Sequence, residues 1–392
     1  MPQTDHTPPM QGDEAFRRRE RARRRTQWTL QIVVLAVIVG CLWLLAHNVG
    51  ANLVERNIRS GFGFLSGSAG FDIGEALLPF ESTDSVLKAF VNGVLNTIRV
   101  SFFAAISALI LGVVVGLMRL ASHPILRALG TAHVEFYRNI PLIIQLFAIY
   151  MLITELLPMS TEPLHFGSWA MLSKAGFYIA VPEQTKLALL AAVIAAVLVA
   201  LLLREIWRRR VTDLVAALIG LAGGAVALIV VWCLFGLVGG WSKPQIDGFM
   251  VVGGSALSPE FLALWLGLTT FTSAAIAEIV RAGVLAVSSG QWDAGMALGL
   301  TKTQVISYIV FPQSMRLAIP PLTSQFMNLT KNSSLAVVIG YPDIVAVGNS
   351  SINVTGQALE VIVIIMAVYL FLNLIISLVM NSLNARVMRA PR

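Results

Sequence analysis

Charge is what this sequence has little of. Only 12% of its 392 residues are Asp, Glu, Lys or Arg, against 56% hydrophobic, where a soluble domain carries about a quarter charged residues. That excludes a water-soluble globular class. Cysteine is nearly absent: Cys41 and Cys233 both lie within apolar runs, which excludes a disulfide framework and reads as small buried hydrophobes. The five histidines are dispersed, and no His/Cys/carboxylate cluster has metal-ligand spacing. No Gly-x-x-x-x-Gly-Lys-Ser/Thr run is present, so any ATP is hydrolysed on another chain. No Ser nucleophile elbow is visible. A membrane-embedded enzyme therefore lacks its catalytic constellation, and no catalytic residue is assigned.

What is present is long apolar runs, several of them reaching the roughly 18–20 residues that cross a bilayer as a helix. The fold class read from them is all-α integral membrane, with about eight spans. They run Trp28 to Leu45, Asn92 to Met118, Val134 to Leu157, Leu187 to Leu203, Leu214 to Val238, Phe261 to Val280, Leu322 to Ile339, and Val361 to Met380. No small-residue cleavage site follows the first run, so an uncleaved first span is expected. The formal charge of +7 is unevenly placed. Basic clusters stand at 17–25, 119–127, 204–210 and 386–392. An even number of spans puts all four on one side, which the positive-inside rule makes cytoplasmic together with both termini. The Arg17–Arg25 cluster is read as this topology signal. As a patch for anionic lipid or nucleic acid it lacks aromatic interleaving. Trp28, Trp43, Trp207 and Trp241 sit near span ends, as interfacial anchors do.

One polar island interrupts the apolar pattern, from Gln291 to Pro312. Ser288 and Gln291 have capping-box spacing, so a helix is expected to start near Gln291 with Asp293 in its first turn, where a negative charge suits the helix dipole. Ala294, Gly295 and Ala297 are small and permit close approach of another surface. Gly299 suits a left-handed cap. A second short helix is expected from Lys302 to Phe311, broken by Pro312. The residues alone leave two readings open, an amphipathic juxtamembrane loop or a docking element.

The island resembles the coupling loop of ABC-importer permeases, with Asp293 in place of the family's usual Glu and Gly295 in place of its second Ala. The charge survives while the helix propensity weakens. Further motifs follow in the family's order: Asn96-Thr97-Ile98-Arg99-Val100, then Glu135-Phe136-Tyr137-Arg138-Asn139-Ile140-Pro141-Leu142, then Ala277-Glu278-Ile279-Val280-Arg281-Ala282-Gly283. Asn328-Leu329-Thr330-Lys331-Asn332-Ser333-Ser334-Leu335 and Gly340-Tyr341-Pro342-Asp343 complete the series. Together they cover most of 92–157 and 259–383 and are similar to the polar amino-acid importer permeases, most of all to the larger permease subunit of bacterial general L-amino-acid uptake systems.

That resemblance implies a five-helix type I importer core in two parts, 92–157 and 259–392, the second carrying the coupling loop within 288–316. Residues 1–26 are then a cytoplasmic basic tail, 27–91 an added first span and periplasmic loop, and 158–258 an inserted periplasmic loop and span pair. The implied partners are a second homologous permease, an ABC ATPase dimer carrying ATP-Mg, a periplasmic amino-acid-binding protein and membrane lipid, with no nucleic acid. No cofactor or metal is expected on this chain, and its implied place is the bacterial inner membrane. The implied activity is alternating-access import of L-amino acids; the alternative is a stand-alone secondary transporter, which predicts inverted repeats.

Ionisable residues within spans face protein or water, because each costs about 2.5–3.5 kcal/mol at the bilayer centre. Glu278, Arg281, Lys331 and Arg99 are such residues. Two readings stand for them: mutual pairing, such as Glu278 with Lys331 or Arg281, or a polar path for a zwitterion. The candidate path residues are Glu278, Asn328, Lys331, Asn332, Ser333 and Ser334, beside a seventh span bracketed by Pro320-Pro321 and Gly340-Tyr341-Pro342. Interrupted spans are where transporters place substrate.

Overall fold

The computed structural model describes residues 11–55, 60–209, 213–248 and 250–389. Arg210 and Arg392 of the basic clusters lie outside the described residues. The chain divides into two compact units between Phe62 and Gly63. The first is a helix, α1 (Gln11–Glu55), with an apolar stretch at Thr26–Cys41. Within it the Trp43 and His47 rings stack at 5.5 Å.

The second unit is built on α2 (Val86–Leu120) and α7 (Pro259–Leu285). Each begins on a serine cap: Ser85 accepts from the Lys88 N–H and Ser258 from the Phe261 N–H, satisfying donors that a helix start leaves open. The two helices pack through glycine. A methyl group at Gly112 would fall 2.6 Å from the Ile276 side chain, and one at Gly116 would fall 3.0 Å from the Ala277 carbonyl. Small residues at such positions let membrane helices approach backbone to backbone.

Around this pair stand α3 (Pro124–Asn139), α4 (Leu142–Met151), α10 (Phe311–Asn332), α11 (Ile344–Thr355) and α12 (Ala358–Arg389). Leu146 of α4 fills the notch at Gly267 of α7. The expected third span is not one rod. Ile140-Pro141 breaks it, and α3 meets α4 at 104°, because a residue before proline leaves the helical region; Ile140 is extended. The second part starts at Leu142 and ends in a π-helical turn, Leu152–Leu156, and only the two parts together reach membrane length. The seventh span is longer than expected. Helix runs from Lys302 through Pro320-Pro321 to Ile339, then bends 51° into α11, a helix the sequence reading left out. Gly340, at φ +81°, makes that stop, and the Asp343 carboxylate restarts the helix by accepting from the Val345 and Ala346 N–H groups.

Among the described residues, five helices are long and apolar enough to cross a membrane, or up to seven with each bent pair as one span. Two of the five, α5 (Thr185–Trp207) and α6 (Asp213–Gly239), form a hairpin. Its contact is again backbone to backbone: Gly220 meets the Ala200 carbonyl and Gly224 the Ala196 carbonyl. Cys233 on α6 is exposed, as is Cys41 on α1. Neither is the buried small hydrophobe expected, because in apolar helices the outward face is as hydrophobic as the core.

The stretches read as loops on either side of the hairpin are short strands. β1 (Leu164–Phe166), β2 (Ala170–Ser173), β3 (Gly176–Ile179), β4 (Val181–Pro182), β5 (Trp241–Ser242), β6 (Gln245–Asp247), β7 (Met250–Val252) and β8 (Ser255–Leu257) pair antiparallel in the orders β1-β2-β3-β8, β4-β5 and β6-β7. Trp241 packs edge-on to Trp169 at 5.1 Å and over Gly236, so it closes this cap onto α6 and is no free interfacial anchor.

Candidate functional site

Three sites carry the polar chemistry of the core. The first is the element at 289–310. Its first helix, α8 (Ser289–Ala297), starts two residues earlier than expected. Ser288 makes no side-chain cap, so Asp293 lies in the second turn and is exposed. The capping box is instead made by Thr301 and Gln304 at the start of α9 (Lys302–Val305). Gly299 is left-handed at φ +79°. Its N–H donates to the Met296 carbonyl and the Leu300 N–H to the Gly295 carbonyl, the paired bonds of a Schellman stop.

Pro312 does not break the second helix. The helix runs on through it, with a π-helical turn, Ile306–Val310, immediately before Pro312.

Gly295 is buried: a side chain there would meet Val305 and Ile309. Its smallness therefore serves packing inside the element. Val287, Val305 and Val310 form its core, flanked by Trp292 and Leu300. Gln291 accepts from the Gln313 amide at 3.2 Å. Asp293, Ala294, Ala297 and Gly299 face outward. Beside them stand Leu298, 80% exposed, and Tyr308, 69% exposed, which sequence reasoning missed. A large apolar residue next to the stop glycine of a polar island, Leu298 before Gly299, was the available signal.

The second site is an ion cluster at the junction of α2, α3 and α7. Glu278 faces Arg119 Nη1 at 2.7 Å, Arg281 Nη1 at 3.5 Å and Arg138 Nη1 at 3.6 Å. The expected pairing with Arg281 is present as the longer contact. Among the described residues the alternative with Lys331 is not made: Lys331 is exposed and sits one residue off the face of α10 that carries Asn328 and Asn332. Those two amides line a cavity of about 360 Å³ with Arg138, Thr272 and Gln325. Glu278 and Arg138 line a second, more open one of about 530 Å³. Ser333 is buried and donates to the Thr330 carbonyl at 2.8 Å, and Ser334 is half-buried outside either lining. Of the six path candidates, the geometry brings together Asn328 and Asn332, places Glu278 next door, and separates Lys331, Ser333 and Ser334. Arg138 and Arg119 were missed; both lie in or near motifs the sequence displays, but their partner is more than a hundred residues away.

The third site is at the opposite end of α2. Arg99 pairs with Glu75 and lies over the Phe261 ring at 4.4 Å. Ser258 donates to the other Glu75 oxygen. The Asn96 amide donates to the Glu75 and Pro342 carbonyls at 2.7 and 2.9 Å, and the Tyr341 hydroxyl to the Asn96 carbonyl. Arg99 thus fastens the 63–85 segment to α2 and α7, and Asn96 ties that segment to the α10–α11 break.

Comparison with known proteins adds the following. The family model described as "Binding-protein-dependent transport system inner membrane component" matches residues 188–389. The chain is similar to a putative amino-acid ABC transporter permease protein of Escherichia coli (strain K12), with 40% identity over 372 residues, 92% of this chain and 93% of that one. It is similar to the general L-amino acid transport system permease protein of Rhizobium johnstonii, with 37% identity and 92% of each chain covered. A glutamate/glutamine/aspartate/asparagine transport system permease protein of Rhodobacter capsulatus is 33% identical, over 91% of this chain and 92% of that one.

Proposed function

The chain belongs to the family of binding-protein-dependent transport system inner membrane components, and from that membership we propose that it imports L-amino acids as the permease subunit of an ATP-driven transporter. It is a transport subunit and not an enzyme; the secondary-transporter alternative gives way to the family membership. The amino-acid substrate class is supported by the relatives' transport of amino acids and L-amino acids, as their names state.

The observation that carries the mechanism is the build of the 289–310 element. Its outer face is exposed and its inner face is a small core of its own, continuous with α7 on one side and α10 on the other. A push on Asp293, Ala294, Ala297 or Leu298 therefore moves α8, α9 and the start of α10 together. Gly283 of α7 packs on the Ser314 carbonyl of α10, so the displacement reaches both walls of the Asn328–Asn332 cavity. In this reading an ATPase dimer with ATP-Mg docks on Gln291, Asp293, Ala294, Ala297 and Gly299. Gly295 and Pro312 shape the element from within. A second permease completes the path, and a periplasmic binding protein delivers substrate at the Glu75–Arg99 end. Both termini and the docking element lie on the cytoplasmic side of the inner membrane. Alternation between two packings of the helices then exposes the path to each side in turn.

The test is ATP hydrolysis in proteoliposomes holding this chain, its partner permease and the ATPase, with and without liganded binding protein. Stimulation by the binding protein that disappears in Gly299→Arg supports the reading. Stimulation and uptake unchanged in Gly299→Arg would sink the docking role of this element.

A further inference from the structure

The four-stranded sheet has an apolar face that outruns its support. Leu164 stands opposite Leu172, Leu172 opposite Phe177 and Phe177 opposite Leu257, and Phe166, two residues from Leu164, shares their face. The Phe166 and Phe177 rings meet on it at 6.5 Å. Phe177 of β3 and Leu257 of β8 pack against the main core of the bundle. β1 lies two strands further out, about 10 Å at the usual strand spacing. There the same face is uncovered: Leu164 is 49% and Phe166 56% exposed. The segment leaving α4 adds to this surface. The Pro158 carbonyl accepts from the Lys174 N–H at 2.9 Å, just past β2, and Leu156 and Met159 on either side of Pro158 are exposed.

Chain length fixes the depth of this face. β4 ends at Pro182 and α5 begins at Thr185; α6 ends at Gly239 and β5 begins at Trp241; β8 ends at Leu257 and α7 begins at Pro259. Helices of membrane length thus run almost directly into the strands. α5 has 23 residues and is about 34 Å long, against about 30 Å of hydrocarbon, so its first turn lies at the edge of the acyl layer. The headgroup zone beyond is only about 5–7 Å deep on each side, which puts the sheets in it or directly upon it. A face that packs on the bundle points toward the membrane, and its overhang therefore lies over whatever surrounds the bundle. Trp169, in the turn from β1 to β2, carries the Lys243 ammonium over its ring at 4.7 Å, an aromatic and a cation of the kind that populate this boundary.

We propose that Leu164 and Phe166, with Leu156 and Met159, form a lipid-binding surface. It is seated between the headgroups and acyl chains of the leaflet away from the basic clusters, and it fixes the root of the α5–α6 hairpin there. A docking surface for a protein carries a polar rim. Among the paired residues of this face Ser255 alone is polar, and it stands on β8, the strand farthest from the overhang. Apolar side chains backed by an aromatic–cation pair are what an interfacial lipid contact requires. The proposal goes beyond the importer reading and stands on the spans and the sheet, whatever the transported substrate.

The experiment reads depth in the complex of this chain, its partner permease and the ATPase, reconstituted in phosphatidylcholine nanodiscs. Phe166→Cys and His165→Cys, each in a Cys41→Ser, Cys233→Ser background, are labelled with a bimane fluorophore. His165 is exposed and belongs to the opposite face of β1. The label at 166 should be quenched at least twofold by phosphatidylcholine carrying a nitroxide at acyl carbon 5, and at least threefold less by aqueous iodide than the label at 165. Leu164→Cys gives the same reading if the Phe166→Cys complex fails to assemble by size-exclusion chromatography. Equal iodide quenching at 165 and 166 would show a water-facing surface, and quenching at 166 by neither probe would show a protein cover; either overturns the proposal. Protection of 166 from iodide only when the binding protein is added assigns the face to that protein and overturns it as well.

Discussion

Gly299 and Leu298 show how much a single position decides. At φ +79° Gly299 occupies a conformation that costs an L-residue about 1–2 kcal/mol, yet open space surrounds it. A side chain there strains the turn without clashing inside the chain. Leu298→Asp changes only an outward side chain, and it should lower binding-protein-stimulated ATP hydrolysis severalfold while the complex elutes as wild type. Unchanged stimulation would show that the partner does not touch this knob. The Glu278 cluster gives a second contrast. Arg119→Ala removes the nearly buried partner and leaves a carboxylate without its short contact, which should cost about 1–3 kcal/mol and lower the melting temperature of the solubilised protein. Arg281→Ala removes a longer contact of a 39%-exposed side chain, worth about 1 kcal/mol or less. An equal loss in both variants would mean that the cluster acts as a unit.

At the scale of elements, rigidity is what joins α8 to α10. Val305 is fully buried beneath α8. Val305→Asp should uncouple ATP hydrolysis from substrate delivery as strongly as Gly299→Arg, although no outward residue of the docking face changes; retained coupling would show that α8 acts without its core. Packing through glycine governs the helix pairs as well. Gly112→Leu forces atoms into Ile276 and should destabilise the α2–α7 pair by about 1–3 kcal/mol, read as a lower midpoint of thermal inactivation.

For the whole molecule, burial separates the bundle from its periphery. In α7 56% of the apolar window is buried within the chain and in α2 39%, against 11% in α5, 12% in α6 and 6% in α12. Helices so apolar and so exposed have lipid or another membrane subunit as their solvent. Cys233 lies on such a surface. A charged thiosulfonate reagent should leave it unmodified from either side of sealed vesicles, and ready labelling would place α6 against a water-filled path instead.

The sequence alone determined the membrane class, most of the apolar helices and the polar island, because hydropathy is a local property of the chain, while the break at Ile140-Pro141 and the helix α11 were not read from it. It also displayed Gly299 as a left-handed stop, since only local geometry is involved. Whether Gly295 faced a partner or its own neighbours was not legible: that depends on Val305 and Ile309 folding back beneath it. The strands at 164–182 and 241–257 were hidden for a similar reason, since β3 finds its partner β8 only across the whole α5–α6 hairpin. The ion pairs were hidden most of all. Glu278 had Lys331 and Arg281 as sequence-level choices, but Arg119 and Arg138 reach it only once α2 and α3 are packed on α7. Tertiary structure decided these partners because charge pairing and close packing depend on distance in space, and helices separated by more than a hundred residues acquire that distance only in the assembled bundle.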